Sequence, residues 1–230
     1  MNINLKTIKK VYINLDERID RRNKIEESFK KLNYVNYERF SAIRLPKQKK
    51  AFNIGCSQSH HNLMERYKHN IPLFLLEDDA IPTLWYDEMV TDGILEVPDN
   101  ADAIYAGISA GGDWEKIGVN FCAENYNDRW LKLKHCLGTH AIIFLNDNIN
   151  KFIENSSSSI QRKLPLDVAY ALEIIPNLNI YAPKKPLFYQ WDICWITSNI
   201  NVIPEKNEWI SFNPNGDINT IRKYSCERNI

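Results

Sequence analysis

Three consecutive carboxylates, Glu77, Asp78 and Asp79, close the apolar run Pro72-Leu73-Phe74-Leu75-Leu76. Such a run reads as a buried strand, so the acids stand at its carboxyl end. Adjacent carboxylates repel one another. They stay ionised together at neutral pH only where solvent, basic side chains or a divalent ion offset the repulsion. In extended backbone, residues two apart face the same way, which puts Glu77 and Asp79 on one side and Asp78 on the other. That pair suits Mg²⁺ or Mn²⁺, which take oxygen ligands and often bind through one or two carboxylates together with substrate phosphates. The plainer reading is an acidic strand end facing solvent or paired with Arg and Lys, and the sequence leaves both open.

Other residues could share the chemistry. Asn14, Asp16, Arg18, Arg21 and Arg22 follow the short β-rich run Val11-Tyr12-Ile13-Asn14-Leu15, where an α/β sheet presents its loops to ligand. Arginine offers a planar fork for phosphate, although most such clusters are solvated salt bridges at a helix start. Ser59, His60 and His61 precede the acidic strand, with His60 on the apolar face of its helix and His61 off it. His140 opens a strand and is a candidate neutral imidazole ligand for the same cation, whereas His135, Cys136 and His140 match no zinc spacing. Asp167 lies between an X-Pro turn and a helical stripe, where helix capping is the default role and a general base is the alternative.

The elements that must position these groups alternate. A strand over 11–15 precedes a helix over 16–33, in which Ile25, Phe29 and Leu32 recur at helical spacing, and residues 34–40 read as extended. Residues 45–50 form a basic loop, and Cys56, His60, Leu63, Met64 and Tyr67 fall on one helical face before the strand at 73–76. A helix is predicted over 84–96, a strand over 102–106, a glycine-bearing loop over 107–118 and a buried strand over 139–145. A helix carrying Ile149, Phe152 and Ile153 is expected to end at a serine loop, 156–159. A helical stripe, Val168, Leu172 and Ile175, and a strand over 178–181 complete the pattern. This alternation argues for an α/β domain with a mainly parallel sheet whose ligands sit at the carboxyl ends of the strands. We expect one domain over 1–200 and a tail over 201–230 packing on it.

Composition narrows the classes. Lys+Arg and Asp+Glu both number 29, so no global field draws the chain to nucleic acid or an acidic membrane. The start has no leader-like apolar stretch, and no run approaches the roughly 20 apolar residues of a membrane span. The expected location is cytoplasmic, with a peripheral position at a membrane face as the alternative. Five scattered cysteines without a C-x-x-C pair fit free thiols in a reducing compartment.

In their order along the chain, several motifs resemble glycosyltransferase family 25, the lipooligosaccharide and collagen-type galactosyltransferase group. They are Val11–Asp16 with Asp20-Arg21-Arg22, Phe40-Ser41-Ala42, Gly55-Cys56-Ser57-Gln58-Ser59-His60 and Leu75–Ala80. Gly138-Thr139-His140-Ala141, Pro165-Leu166-Asp167 and Tyr181-Ala182-Pro183 with Pro186 and Gln190 continue the series, which covers roughly 8–200. The resemblance implies a GT-A-type Rossmann-like fold and a divalent-metal-dependent inverting transferase. It would move galactose or glucose from a UDP-sugar to a hydroxyl on a glycan, glycolipid or glycoprotein. On that reading Asp79 is the direct ligand of Mn²⁺ or Mg²⁺, Glu77 its supporting carboxylate and His140 a third ligand. Asn14, Asp16, Arg18, Arg22 and Asp78 contact the nucleotide sugar, Ser59 and His60 lie near the ribose or diphosphate, and Asp167 is the base, with Asp78 second. A catalytically silent nucleotide-sugar or carbohydrate-binding module is the competing class, and a phosphohydrolase using His60 and His61 is a weaker third.

Overall fold

A computed structural model describes residues 1–46, 51–83, 85–108 and 121–190, with the backbone alone at 51–53. The basic segment 47–50, most of the 107–118 loop, Cys194, Cys226 and the 201–230 tail lie outside the described residues. In chain order the elements are β1 (Asn2–Asn4), β2 (Lys9–Asn14), α1 (Ile19–Lys31), β3 (Tyr37–Ser41), α2 (Ala51–Tyr67) and β4 (Leu73–Glu77). β5 (Ala80–Pro82), α3 (Tyr86–Met89), β6 (Val90–Thr91), β7 (Ile94–Glu96), β8 (Ala103–Tyr105), β9 (Cys122–Asn125) and β10 (Trp130–His135) follow. β11 (Ala141–Phe144), α4 (Ile149–Arg162), α5 (Leu166–Glu173), β12 (Ile180–Pro183) and β13 (Phe188–Gln190) complete the described part.

The main sheet has the order β3-β2-β4-β11-β8-β12-β10-β9. β2 runs parallel to β3 and β4, and β12 parallel to β8. The other four neighbouring pairs are antiparallel. The expected mainly parallel sheet is therefore a mixed one. The reason is physical: β4, β8 and β11 are covered on both faces, so each reads as a continuous apolar run whatever its direction.

Alternate residues of the central strands feed two cores. Val11, Leu73, Leu75, Ile142 and Phe144 face Leu63, Met64 and Tyr67 of α2, Phe152 of α4 and Tyr170 of α5. Tyr12, Phe74, Leu76 and Ile143 face Ile25 and Phe29 of α1 together with the β6–β7 hairpin. The sheet is thus sandwiched between α1 on one side and α2, α4 and α5 on the other.

Three further expectations are corrected. The helix over 84–96 is only the short α3, because the chain reverses through Asp92 and Gly93, both at positive φ (52° and 84°), into the β6–β7 hairpin. The serine loop at 156–159 is instead the interior of α4. Ser156 and Ser159 are buried and bond to the carbonyls of Ile153 and Leu164, and Ser159 also meets Ser57 of α2 at 3.1 Å. Small hydroxyl side chains whose hydrogen bonds are met by the carbonyls of α4 and of the segment just after it let α4 approach α2 closely. Leu172 of the proposed stripe is 42% exposed, so α5 buries Val168, Ala169, Tyr170 and Ala171 instead.

Candidate active site

Because β2, β3 and β4 are parallel neighbours, their carboxyl ends lie side by side: Ile13 is level with Glu77, and Asn14 with Ser41. Strand β4 ends at Glu77, and Asp78 and Asp79 occupy the turn into β5. The three carboxylates consequently diverge to two sets of partners rather than lining one side of an extended strand.

Asp78 and Asp79 turn toward the start of α1. The Arg21 guanidinium, buried on that helix, donates to Asp78 at 2.9 Å and lies 3.6 Å from Asp79. The Asn14 amide donates to the other Asp78 oxygen at 2.7 Å, and its own oxygen accepts from Arg39 at 3.2 Å. Burial pushes the Asp78 carboxyl above its ordinary value, and the bonds from Asn14 and Arg21 only partly counter it. A guanidinium built into the fold therefore supplies countercharge to two of the three acids.

Glu77 turns to the other face. Its Oε1 accepts from the Thr139 hydroxyl at 2.6 Å and lies 3.0 Å from Nε2 of His60 on α2, while its backbone amide donates to the His140 carbonyl at 2.8 Å. Burial works against ionisation of Glu77. The hydrogen bond and charge of His60 and the Thr139 hydroxyl outweigh it and hold the carboxyl well below its usual range.

His140 stands opposite Glu77 across the β4–β11 ladder and is fully buried. Gly107 makes room for the ring, since a methyl there would fall inside contact distance of Nε2 and of the Phe188 carbonyl. Burial pulls the His140 pKa down to about 4, against the pull of Glu77 and Phe188. An unfolded chain takes up this proton below its ordinary value of 6.5 while the folded ring stays neutral. Stability therefore falls as pH drops from 6.5 toward 4, by roughly 3 kcal/mol for this group alone. His140→Gln is expected to flatten that acid limb. Denaturant unfolding of both proteins at neutral pH and near pH ~4.5 checks it; an identical loss in the two counts against the assignment.

Asp167, in the first turn of α5, accepts from the Val168 amide at 2.9 Å. Burial raises its pKa, and the charge of Glu77 adds to the rise. It also acts on the buried Tyr105 hydroxyl, which has no hydrogen-bond partner among the described residues, and on the Cys136 thiol. A buried carboxyl whose pKa is raised within charge range of an ionised one has the character of an acid–base pair.

The other expected residues have partners within the chain. Asp16 is exposed and accepts from Arg39 (2.6 Å) and Ser41 (2.8 Å). Arg18 forks onto Asp20, and Arg22 pairs with Glu26, which takes the Tyr12 hydroxyl. Ser59 accepts from the Ile43 amide at 2.8 Å and donates to Gly55 at 2.7 Å. A methyl on Gly55 would lie 2.6 Å from the Ile43 carbonyl. The Gly55–Ser59 pair thus clasps the segment after β3 and holds these strand ends in place. Arg21, Thr139 and Arg39 are site neighbours absent from the expected ligand set.

Glu77, Asp79 and His140 do not converge as metal donors. Among the described residues the one group of three such donors within 4.8 Å of one another is Cys56, His60 and Glu77. Asp79 still fits the single carboxylate that a Mg²⁺ or Mn²⁺ bound chiefly through substrate phosphates requires.

No family model matches the chain and no curated protein matches it. Among solved structures it is similar to a glycosyltransferase involved in glycosylation of the major capsid of PBCV-1, at 11% identity and a TM-score of 0.47 over 76% of this chain and 80% of that one. It is also similar to the CTP:phosphocholine cytidylyltransferase of Streptococcus pneumoniae, at 8% identity and a TM-score of 0.40 over 83% and 96%. The likenesses concern chain path, and the functional reading below rests on this chain's own residues.

Proposed function

We propose that the chain is a glycosyltransferase that moves a hexose, galactose or glucose, from a UDP-sugar to a hydroxyl of a glycan, glycolipid or glycoprotein, with inversion. One observation carries this reading: the ends of β2 and β4 hold a buried Arg21–Asp78–Asp79 charge group, and the protonatable Asp167 is in charge range of ionised Glu77. The order of motifs along the chain supports it. Asp167 takes the acceptor hydroxyl proton, the acceptor oxygen bonds to the anomeric carbon, and the bond to UDP breaks with its electron pair leaving on the diphosphate. Asp78, each of whose oxygens already accepts a hydrogen bond, is the second candidate for the base. Asn14 and Arg21 orient the acidic turn, and Asp16, Arg18 and Arg22 at the mouth of β2 remain the candidate nucleotide contacts, with Ser59 and His60 nearby. Asp79 would hold Mn²⁺ or Mg²⁺ bound chiefly through the substrate's phosphates, and the ion would supply charge that offsets the leaving diphosphate. No described helix is long and apolar enough to cross a membrane.

The test is release of UDP from a panel of UDP-sugars with and without Mn²⁺ or Mg²⁺. Hydrolysis or transfer that requires the ion is the expected result. Tight UDP binding without sugar release over hours instead identifies a binding module.

A further inference from the structure

Cys56 and His60 are four residues apart on α2 and therefore share a helix face, which packs over the end of β4 where Glu77 emerges. Their donor atoms and a Glu77 oxygen lie within 4.8 Å of one another. In a tetrahedral site with bonds of about 2.0–2.3 Å, donors stand about 3.3–3.8 Å apart, so these side chains need only rotamer-scale adjustment. Nε2 of His60 and Oε1 of Glu77, at 3.0 Å, already have nearly that spacing. The second ring nitrogen of His60, Nδ1, is buried and has no hydrogen-bond partner among the described residues, so the ring is not fixed by protein bonds alone.

We propose that Cys56, His60 and Glu77 form a site for Zn²⁺ or a similarly soft divalent ion, with a fourth position open, separate from any Mg²⁺ or Mn²⁺ at Asp79. The chemistry of the donors selects the ion. A thiolate disfavours Mg²⁺ and Mn²⁺ and favours Zn²⁺, and one thiolate, one carboxylate and a neutral imidazole balance its two positive charges. That neutrality matters at a place where His60 is 1% exposed and the Glu77 side chain 21%. Thr139, donating to Glu77 at 2.6 Å, is the positioning residue that aims the carboxylate. Binding releases the Cys56 thiol proton, so affinity rises with pH.

Cobalt(II) is the probe. The full chain, stripped of metal, is expected to take up Co²⁺ with a thiolate-to-metal charge-transfer absorption. Zn²⁺ displaces the probe, and Mg²⁺ does not. The band disappears in Cys56→Ser, persists in Cys122→Ser and Asp79→Asn, and in Thr139→Val requires about 10–100-fold more Co²⁺. A measurement without variants guards against misfolding: Co²⁺ should protect Cys56, but not Cys122, from alkylation mapped by mass spectrometry. Absence of the band, its survival in folded Cys56→Ser, or equal alkylation of Cys56 with and without Co²⁺ overturns the site. None of these outcomes touches turnover of UDP-sugars, so the two readings fail independently.

Discussion

Replacing Asp167 with Asn is expected to lower turnover by about 10²- to 10⁴-fold while leaving thermal unfolding nearly unchanged. The asymmetry follows from the environment of the group. Asn retains an oxygen for the Val168 amide and nearly the same volume, so the start of α5 keeps that hydrogen bond and its packing. What it loses is a proton-accepting carboxylate whose pKa burial and Glu77 have moved toward neutrality, the direction that makes a base effective near pH 7. Comparison of UDP release and of unfolding midpoints for the two proteins checks both halves. Turnover within tenfold of the parent would remove Asp167 as the base and move attention to Asp78. There the outlook is poorer, because Arg21 and Asn14 already occupy both carboxylate oxygens.

Much of this site is legible in the residues, and what is not has definite physical reasons. The run ending at Leu76 announces a buried strand, and the acids after it announce a charged sheet edge. Their partners are less visible. Ile25 and Phe29 mark a buried stripe on α1, and stepping back one helical turn from Ile25 reaches Arg21, which is buried with them. The stripe was readable, but an arginine on it is easily assigned to solvent, since arginine is seldom buried unless paired. That Glu77 and Asp79 part company depends on β4 ending at Glu77, and strand ends are the least legible feature of a sequence. Helical spacing places Cys56 with His60, yet nothing local brings Glu77 to them, because that contact needs α2 to lie across β4. Strand direction was illegible for the same reason that the strands were recognisable: both faces are buried. The serines of α4 misled because their hydroxyls are equally at home in a turn and in a tightly packed helix that takes back their hydrogen bonds.

Arg21→Met is expected to destabilise the fold by about 3–5 kcal/mol at neutral pH, since it leaves two adjacent carboxylates buried without their built-in countercharge. The side chains of Arg21, Asp78 and Asp79 are 8%, 9% and 6% exposed, so solvent cannot replace the guanidinium. The loss should shrink at mildly acidic pH. Burial already raises the Asp78 pKa, removal of Arg21 raises it further, and a variant that takes up the proton on folding gains stability relative to the parent as pH falls. Asp78→Asn placed in the Arg21→Met background should recover part of the stability although it is costly alone, giving a coupling of about 1–3 kcal/mol in a double-mutant cycle. Urea unfolding of the four proteins measures it, and additive losses, or a single loss below about 1 kcal/mol, would show that the pair does not carry the turn. The repulsion within the acidic triplet is therefore answered in two ways by the chain itself: an arginine for Asp78 and Asp79, and a histidine with a threonine for Glu77. On the proposed reading, an ion arriving with a donor diphosphate would meet a turn already in place, and its charge would serve the substrate rather than the fold.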